Sequence, residues 1–143
     1  MDLFTIVTAR ADYELGALVI IDQTQLPERE VYLALKTPEE IWEAIYLLKV
    51  RGAPAIGVAA AYGISVCMQK VDEVDDFYRE FARVKNYLAS SRPTAVNLFT
   101  ALERMEVALL KCQGAGVEVL KQVLREEAEA IRKEDAAACR KIG

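Results

Sequence analysis

The sequence predicts an α+β fold, mostly α, in which a small three-stranded antiparallel sheet caps a bundle of about five helices. Two observations carry this prediction. The amino-terminal residues contain short runs of β-branched side chains, whereas the later residues repeat apolar side chains at three- and four-residue steps. The 143 residues are 53% hydrophobic and 28% charged, which suits one soluble domain with a buried core. We therefore expect a single domain over 1–143, with the sheet in 1–35 and the helices in 36–143.

The three predicted strands are rich in β-branched residues and are separated by polar turn segments. They cover Phe4–Ala9, Ala17–Asp22 and Val31–Leu35. The polar segment Arg10–Gly16 can form the hairpin turn between the first two strands. We expect the sheet to cover one end of the helical body.

A hydroxyl, a proline and two acids in Thr37–Glu40 predict the start of the first helix, which we expect to run to about Val50. Apolar residues at helical spacing mark the face turned to the core: Ile41, Ala44, Ile45 and Leu48. Trp42 and Tyr46 lie on an adjoining stripe. Trp42 either packs against the core or offers a flat surface to a ligand.

A tight turn and a proline begin the second helix, which is almost wholly apolar and is predicted to run to Met68. Gly52 permits a sharp turn, and Pro54 suits the first position of a helix. The free amides at such a helix start, together with the preceding Arg51, favour a phosphate. Alternatively, Gly52 and Pro54 only begin a buried helix whose Ala and Gly residues allow close packing. The residues alone leave both interpretations open.

Three further helices are predicted over Val74–Ala89, Ala95–Cys112 and Val117–Ile142. Their expected core residues are Phe77, Phe81, Val84 and Leu88, then Leu98, Leu102, Met105 and Leu109, and finally Leu120, Leu124, Ala128 and Ile131. The acidic cluster Asp72–Asp76 has no metal-loop pattern and suits a helix start. The four-residue spacing of Glu129 and Lys133 favours an ion pair on the last helix.

The segment before the fourth helix repeats the arrangement of an arginine followed by a proline. Arg92 precedes Pro93 there, so the fold contains two candidate anion-binding helix starts, provided that they converge in space. Asn97 is a further candidate, for a hydrogen bond to a sugar hydroxyl. Its alternative role is a hydrogen bond within the first helical turn.

Charge and composition exclude several function classes. A net charge of -4 and a pI near 5.0 leave no basic field for nucleic acid. The apolar run Ala53–Met68 is shorter than the roughly 20 residues of a membrane-spanning helix, and the amino terminus lacks a secretory signal pattern, so we expect a cytoplasmic protein without membrane contact. The chain has no histidine, and its cysteines, Cys67, Cys112 and Cys139, lie far apart, so we expect reduced thiols and no metal site.

Three segments of the chain closely resemble the amino-terminal part of methylthioribose-1-phosphate isomerases. They are the run RGAPAIGVAAAYGI from Arg51, DQTQLP from Asp22 and SRPTAVNL from Ser91. The same superfamily contains ribose-1,5-bisphosphate isomerases and the regulatory subunits of initiation factor 2B. The resemblance covers nearly all of the chain but less than half of the family's usual length. It implies that a Rossmann-like carboxy-terminal catalytic domain is absent from this chain.

The resemblance implies a specific reaction and a division of labour. In the family, 5-methylthioribose 1-phosphate becomes 5-methylthioribulose 1-phosphate, a step of methionine salvage, without metal or organic cofactor. Motif by motif, Arg51, Gly52, Ala53 and Arg92 match the residues that bind the substrate phosphate. The catalytic acid and cysteine of the family lie in the carboxy-terminal domain, so this chain alone is expected to bind and not to turn over. Its expected partners are the phosphorylated pentose, its own catalytic domain and a second copy in a homodimer.

Two other functions stay open at this point. The chain could be a non-catalytic helical interaction module like those of the initiation-factor regulatory subunits, or part of an isomerase of another phosphorylated pentose, such as ribose 1,5-bisphosphate. The segment Asp22–Pro27 is either a loop fixed by its own side-chain hydrogen bonds or a direct ligand contact.

Overall fold

A computed structural model describes residues 9–21, 32–47 and 53–142, with the backbone alone at 21, 53–55 and 135–142. These residues form three strands and five helices, as the sequence predicts. The strands are β1 (Ala9–Asp12), β2 (Ala17–Ile21) and β3 (Tyr32–Leu35), and the helices are α1 (Pro38–Tyr46), α2 (Ala53–Met68), α3 (Val74–Ala89), α4 (Val96–Leu110) and α5 (Val117–Ile142).

The sheet is antiparallel with the order β1-β2-β3, and its first turn is shorter than predicted. Arg10–Asp12 belongs to β1 rather than to the turn, and Asp12 pairs in register with Ala17. The Asp12 carboxylate accepts the Leu15 N–H at 3.0 Å, and Gly16 adopts a positive φ of 67°. These two local features close the hairpin in four residues. Most of the strand predicted over Phe4–Ala9 lies outside the described residues.

Helix α1 begins where the sequence predicts and ends earlier. The Thr37 hydroxyl accepts the Glu40 N–H at 3.2 Å, and the Glu40 carboxylate accepts the Thr37 N–H at 3.2 Å, which completes a capping box. The helix ends at Tyr46 with Leu47 as its C-cap, four residues before the predicted end at Val50. Residues 48–50, including the predicted core residue Leu48, lie outside the described residues.

Helix α2 lies at the centre of the molecule. Every residue from Ile56 to Met68 is buried, and the helix contacts the four other helices as well as β1 and β2. The core stripes predicted for the other helices are also buried, namely Ile41, Ala44 and Ile45 on α1, Phe77, Phe81, Val84 and Leu88 on α3, Leu98, Leu102, Met105 and Leu109 on α4, and Leu120, Leu124, Ala128 and Ile131 on α5. Three- and four-residue spacing therefore identified the inward face of each helix.

The directions of the helices decide which ends lie together. Helix α5 runs antiparallel to α2, because Tyr62 bonds Glu129 while the later Gln69 bonds the earlier Lys121. Only residues 111–116 connect α4 to α5, so α4 runs antiparallel to α5 and therefore in the same direction as α2. The contact of Gly57 with Asn97, near the starts of α2 and α4, agrees with this direction. Helices α2 and α4 consequently begin at the same end of the bundle.

Helices α1 and α3 finish at that end. The residues of α1 meet α2 in reverse order, since the Lys36 carbonyl accepts from Lys70 while Ile41 lies against Gly63. Trp42 of α1 contacts Tyr87 near the end of α3. Within residues 9–21, 32–47 and 53–142, no helix has the length and hydrophobicity that a membrane crossing needs.

Candidate functional site

The turn between α3 and α4 holds the predicted Arg92. The buried Ser91 hydroxyl donates to the Leu88 carbonyl at 2.6 Å, and the Arg92 carbonyl accepts the Ala95 N–H at 3.0 Å. Arg92 itself is half-buried, and its guanidinium has no hydrogen-bond or ion-pair partner among the described residues. Its five donors are therefore not committed to a carboxylate of the described part of the chain.

The start of α4 leaves backbone donors free. Ala95 is the N-cap and supplies no capping side chain. The amides of Val96 and Asn97 have no hydrogen-bond acceptor in the described part of the chain. Unpaired amides and the helix dipole make such a start favourable for an anion.

The starts of α2 and α4 touch through their backbones. A Cβ atom on Gly57 would lie 3.0 Å from the Asn97 carbonyl oxygen and 3.5 Å from the Ala101 Cβ. Gly57 is the fifth residue of α2 and Asn97 the second of α4. The glycine that allows the helices to pack closely thus also brings the electropositive starts of α2 and α4 together. Close packing and phosphate binding are therefore compatible interpretations of the start of α2.

The predicted site residues fall into two groups. Ala53 is the first residue of α2, and Arg92 and Asn97 lie at the start of α4, so the structure brings these three to one end of the bundle. Asn97 is exposed, and its side chain makes no hydrogen bond with the described residues. Arg51, Gly52 and the segment Asp22–Pro27 lie outside the described residues. The convergence of Arg51 with Arg92 stays a prediction.

A stacked aromatic cluster, formed by Trp42, Tyr46 and Tyr87, lies at the same end. The Trp42 ring centroid is 4.9 Å from that of Tyr46 and 5.9 Å from that of Tyr87, and both pairs are stacked. The Trp42 indole N–H donates to the Ser90 hydroxyl at 2.9 Å. The i, i+4 spacing of Trp42 and Tyr46 signals their contact, but nothing local in the sequence signals Tyr87 or Ser90, which come from α3.

A cleft of about 740 Å³ lies at the opposite end, beside the start of α3. Its arginines are committed to carboxylates, since Arg79 pairs with Asp76 at 3.6 Å and Arg83 pairs with Glu80. Burial raises the pKa of the Cys67 thiol in its wall to about 12, so this free cysteine is held in its unreactive form. The two arginines of this cleft are therefore less available to an anion than Arg92.

The cysteines differ in burial. Cys67 is buried and Cys112 is half-buried, and both are free thiols. The Cys139 side chain lies outside the described part.

The acidic cluster predicted at a helix start lies at the start of α3, where Asp75 and Asp76 are in the first turn. Glu73 is the N-cap, but its side chain bonds no helix amide.

Comparison with known proteins shows the family to which the chain belongs. The model of the initiation factor 2 subunit family matches residues 49–143. Methylthioribose-1-phosphate isomerase of Parabacteroides distasonis is 57% identical over 136 residues, which are 94% of this chain and 41% of that protein. 5-Deoxyribose 1-phosphate isomerase of Petrotoga mobilis is 48% identical over 141 residues, 97% of this chain and 41% of that protein. The chain thus spans about two fifths of the length of these curated relatives.

Two solved structures share the fold. The delta subunit of the translation initiation factor eIF-2B from A. fulgidus has a TM-score of 0.82 and 39% identity, over 91% of this chain and 37% of that one. 5-Methylthioribose 1-phosphate isomerase from Pyrococcus horikoshii has a TM-score of 0.83 and 32% identity, over 92% of this chain and 37% of that one. The fold is common to both and does not separate enzyme from initiation-factor subunit. The chain belongs to the initiation factor 2 subunit family.

Proposed function

We propose that this chain is the phosphate-binding part of an aldose–ketose isomerase that converts 5-methylthioribose 1-phosphate to 5-methylthioribulose 1-phosphate. The contact between Gly57, the fifth residue of α2, and Asn97, the second residue of α4, carries the proposal, because it brings two helix starts together. The free amides of Val96 and Asn97 and the uncommitted guanidinium of Arg92 add donors at that end.

The donors suit a phosphate because they keep their charge and protons across the neutral pH range. Backbone amides do not titrate there, and an arginine stays protonated. A phosphate oxygen accepts charge-assisted hydrogen bonds from a guanidinium, which are stronger than those between neutral groups. Two helix dipoles that end in one place add to this attraction.

The donors described at the starts of α2 and α4 suit binding rather than the proton transfers of the isomerisation. An aldose–ketose isomerisation moves hydrogen between neighbouring carbons and needs a positioned acid and base. The chain has no histidine, and the buried Cys67 faces the opposite cleft. We therefore propose that the whole protein supplies these groups from a catalytic domain, and that this chain alone binds substrate without turnover.

Replacing Arg92 tests the proposal. Arg92→Ala should weaken binding of 5-methylthioribose 1-phosphate to the chain by about 1.5–3 kcal/mol, roughly ten- to 150-fold, the range for a hydrogen bond to a charged group. Isothermal titration calorimetry measures the affinity. Arg79→Ala is the matched control, because Arg79 is an arginine at the opposite end of α3 whose side chain is 78% exposed. Equal affinities for wild type and Arg92→Ala would refute the role of this helix start in phosphate binding.

A second candidate function is a non-catalytic interaction module. The similarity to the eIF-2B delta subunit, with a TM-score of 0.82 at 39% identity, favours it. A module of this kind has no reason to bind a sugar phosphate, so the same calorimetric titration separates the two functions. Titration with ribose 1,5-bisphosphate beside 5-methylthioribose 1-phosphate also distinguishes the two pentoses.

A further inference from the structure

We infer that the aromatic cluster of Trp42, Tyr46 and Tyr87 binds the 5-methylthio group of the sugar phosphate and selects for a thioether at that position. The inference rests on the proposed function, since it assigns the apolar end of a ligand whose phosphate the starts of α2 and α4 would hold. Its basis is the position, exposure and chemistry of the cluster.

The cluster is joined to the Arg92 turn by a direct hydrogen bond. The Trp42 indole N–H donates to the Ser90 hydroxyl at 2.9 Å, and the same hydroxyl donates to the Tyr87 carbonyl at 2.5 Å. Ser90 is two residues before Arg92. The hydrogen bond therefore fixes the orientation of the indole beside the turn that carries Arg92, the residue proposed to bind the phosphate.

The cluster lies at the end of the bundle where both helix starts lie. Helix α1 runs antiparallel to α2 and ends at Tyr46, and the Tyr87 ring comes from the last turn of α3. The ends of α1 and α3 and the starts of α2 and α4 thus lie at the same end of the bundle. Because the Trp42–Ser90 bond joins the cluster to the turn that carries Arg92, we expect one ligand to contact both.

The rings are open to a ligand. Tyr46 is 54% exposed and the adjoining Leu47 is 46% exposed, whereas Trp42 and Tyr87 are half-buried. By contrast, Tyr62 of α2 is 1% exposed and belongs to the core. Exposed rings that are already stacked lose little conformational freedom when a ligand binds.

Aromatic rings of this kind can distinguish a thioether from a hydrogen atom. Sulfur makes favourable contacts with aromatic rings at about 5 Å, worth roughly 0.3–1.5 kcal/mol, or about two- to tenfold in affinity. The names of the two relatives describe sugars that differ at carbon 5, where one carries a methylthio group and the other carries hydrogen. A selective contact at carbon 5 is therefore the feature that would separate these two substrates.

Fluorescence of Trp42 provides the test, because it is the only tryptophan in the sequence. We expect 5-methylthioribose 1-phosphate to change this fluorescence and to bind the wild-type chain about two- to tenfold more tightly than 5-deoxyribose 1-phosphate. Tyr46→Ala should abolish this preference by weakening only the methylthio compound, and Tyr46→Phe should retain it because the ring remains. Tyr32→Ala, at an exposed tyrosine of β3, should leave both affinities unchanged.

The outcomes separate this inference from the proposed function. Equal affinities of the wild type for the two sugars, or an unchanged preference in Tyr46→Ala, would overturn the thioether role while phosphate binding stands. An Arg92→Ala variant with wild-type affinity would instead overturn the phosphate site. The midpoint temperatures of thermal unfolding of Tyr46→Ala and Tyr46→Phe should match that of the wild type, which verifies that both variants are folded.

Discussion

Tyr62 combines core burial with a polar contact that fixes α5 against α2. Its hydroxyl donates to the Glu129 carboxylate at 2.6 Å, and Arg132 pairs with the same carboxylate at 3.1 Å. Burial alone would raise the pKa of Glu129, but the hydrogen bonds from Tyr62 and Arg132 lower it below the usual value. Burial and the bond to Glu129 both raise the pKa of Tyr62. The sequence favours a Glu129–Lys133 pair, but the structure pairs Glu129 with Tyr62 and Arg132.

Tyr62→Phe should lower the free energy of unfolding by about 1–2 kcal/mol at pH 7, because a half-exposed carboxylate loses one of its donors. An ordinary glutamate titrates near 4.5, and the folded-state pKa of Glu129 is lower. The unfolded chain therefore binds more protons in acid, so this stabilisation is present above about pH 4.5 and is lost as the pH falls. Urea unfolding at pH 7 and at pH 3 should show a smaller effect of Tyr62→Phe in acid.

Tyr78→Phe is the matched control. The Tyr78 hydroxyl is buried and has no hydrogen-bond partner among the described residues, so its removal should cost nothing or stabilise the protein slightly. A loss as large as that of Tyr62→Phe would contradict the assignment of the stabilisation to the bond with Glu129.

At the scale of elements, two glycines of α2 differ in what surrounds them. Gly57 faces the backbone of α4, where a Cβ would lie 3.0 Å from the Asn97 carbonyl oxygen. Gly63 faces the Ile41 side chain, where a Cβ would lie 3.1 Å from Cδ1 and 3.2 Å from Cγ2. A side chain can adjust its rotamer, but a helix backbone must move as a unit.

Gly57→Ala should therefore destabilise the protein by up to about 2 kcal/mol, because overpacking costs roughly 1–3 kcal/mol and the better helix propensity of alanine returns about 1 kcal/mol. It should also weaken binding of 5-methylthioribose 1-phosphate, since the starts of α2 and α4 are pushed apart. Gly63→Ala should cost less and leave binding unchanged. Chemical denaturation and calorimetry of both variants provide the measurement, and equal effects would contradict the close backbone contact.

Local signals predicted most of the elements but not all of their ends. The capping box at Thr37 and the stripe from Phe77 to Leu88 depend on neighbours in sequence, and both are confirmed. The turn after β1 begins three residues later than the polar segment predicts, because its closure depends on which polar side chain bonds the backbone, here Asp12. Helix α1 ends earlier than the sequence predicts, because the apolar repeat continues through Leu48 and such a repeat does not mark where a helix stops.

At the scale of the whole molecule, the arrangement of the candidate site depends on contacts that are far apart in sequence. Motifs indicate Arg92 and Ala53, but the contact between Gly57 and Asn97 depends on the packing of α2 against α4. The Trp42–Ser90 bond spans 48 residues and has no local signature. Motifs therefore predicted which residues could bind a phosphate, and the helix directions decided which of the described ones share an end.

The most direct test follows backbone amides during a titration of the ¹⁵N-labelled chain with 5-methylthioribose 1-phosphate. If the starts of α2 and α4 form one phosphate site, the amide signals of Ala53 and Ala55 and those of Val96 and Asn97 should shift together and fit one dissociation constant. Shifts confined to one helix start, or centred on the cleft near Arg79 and Arg83, would contradict a shared site.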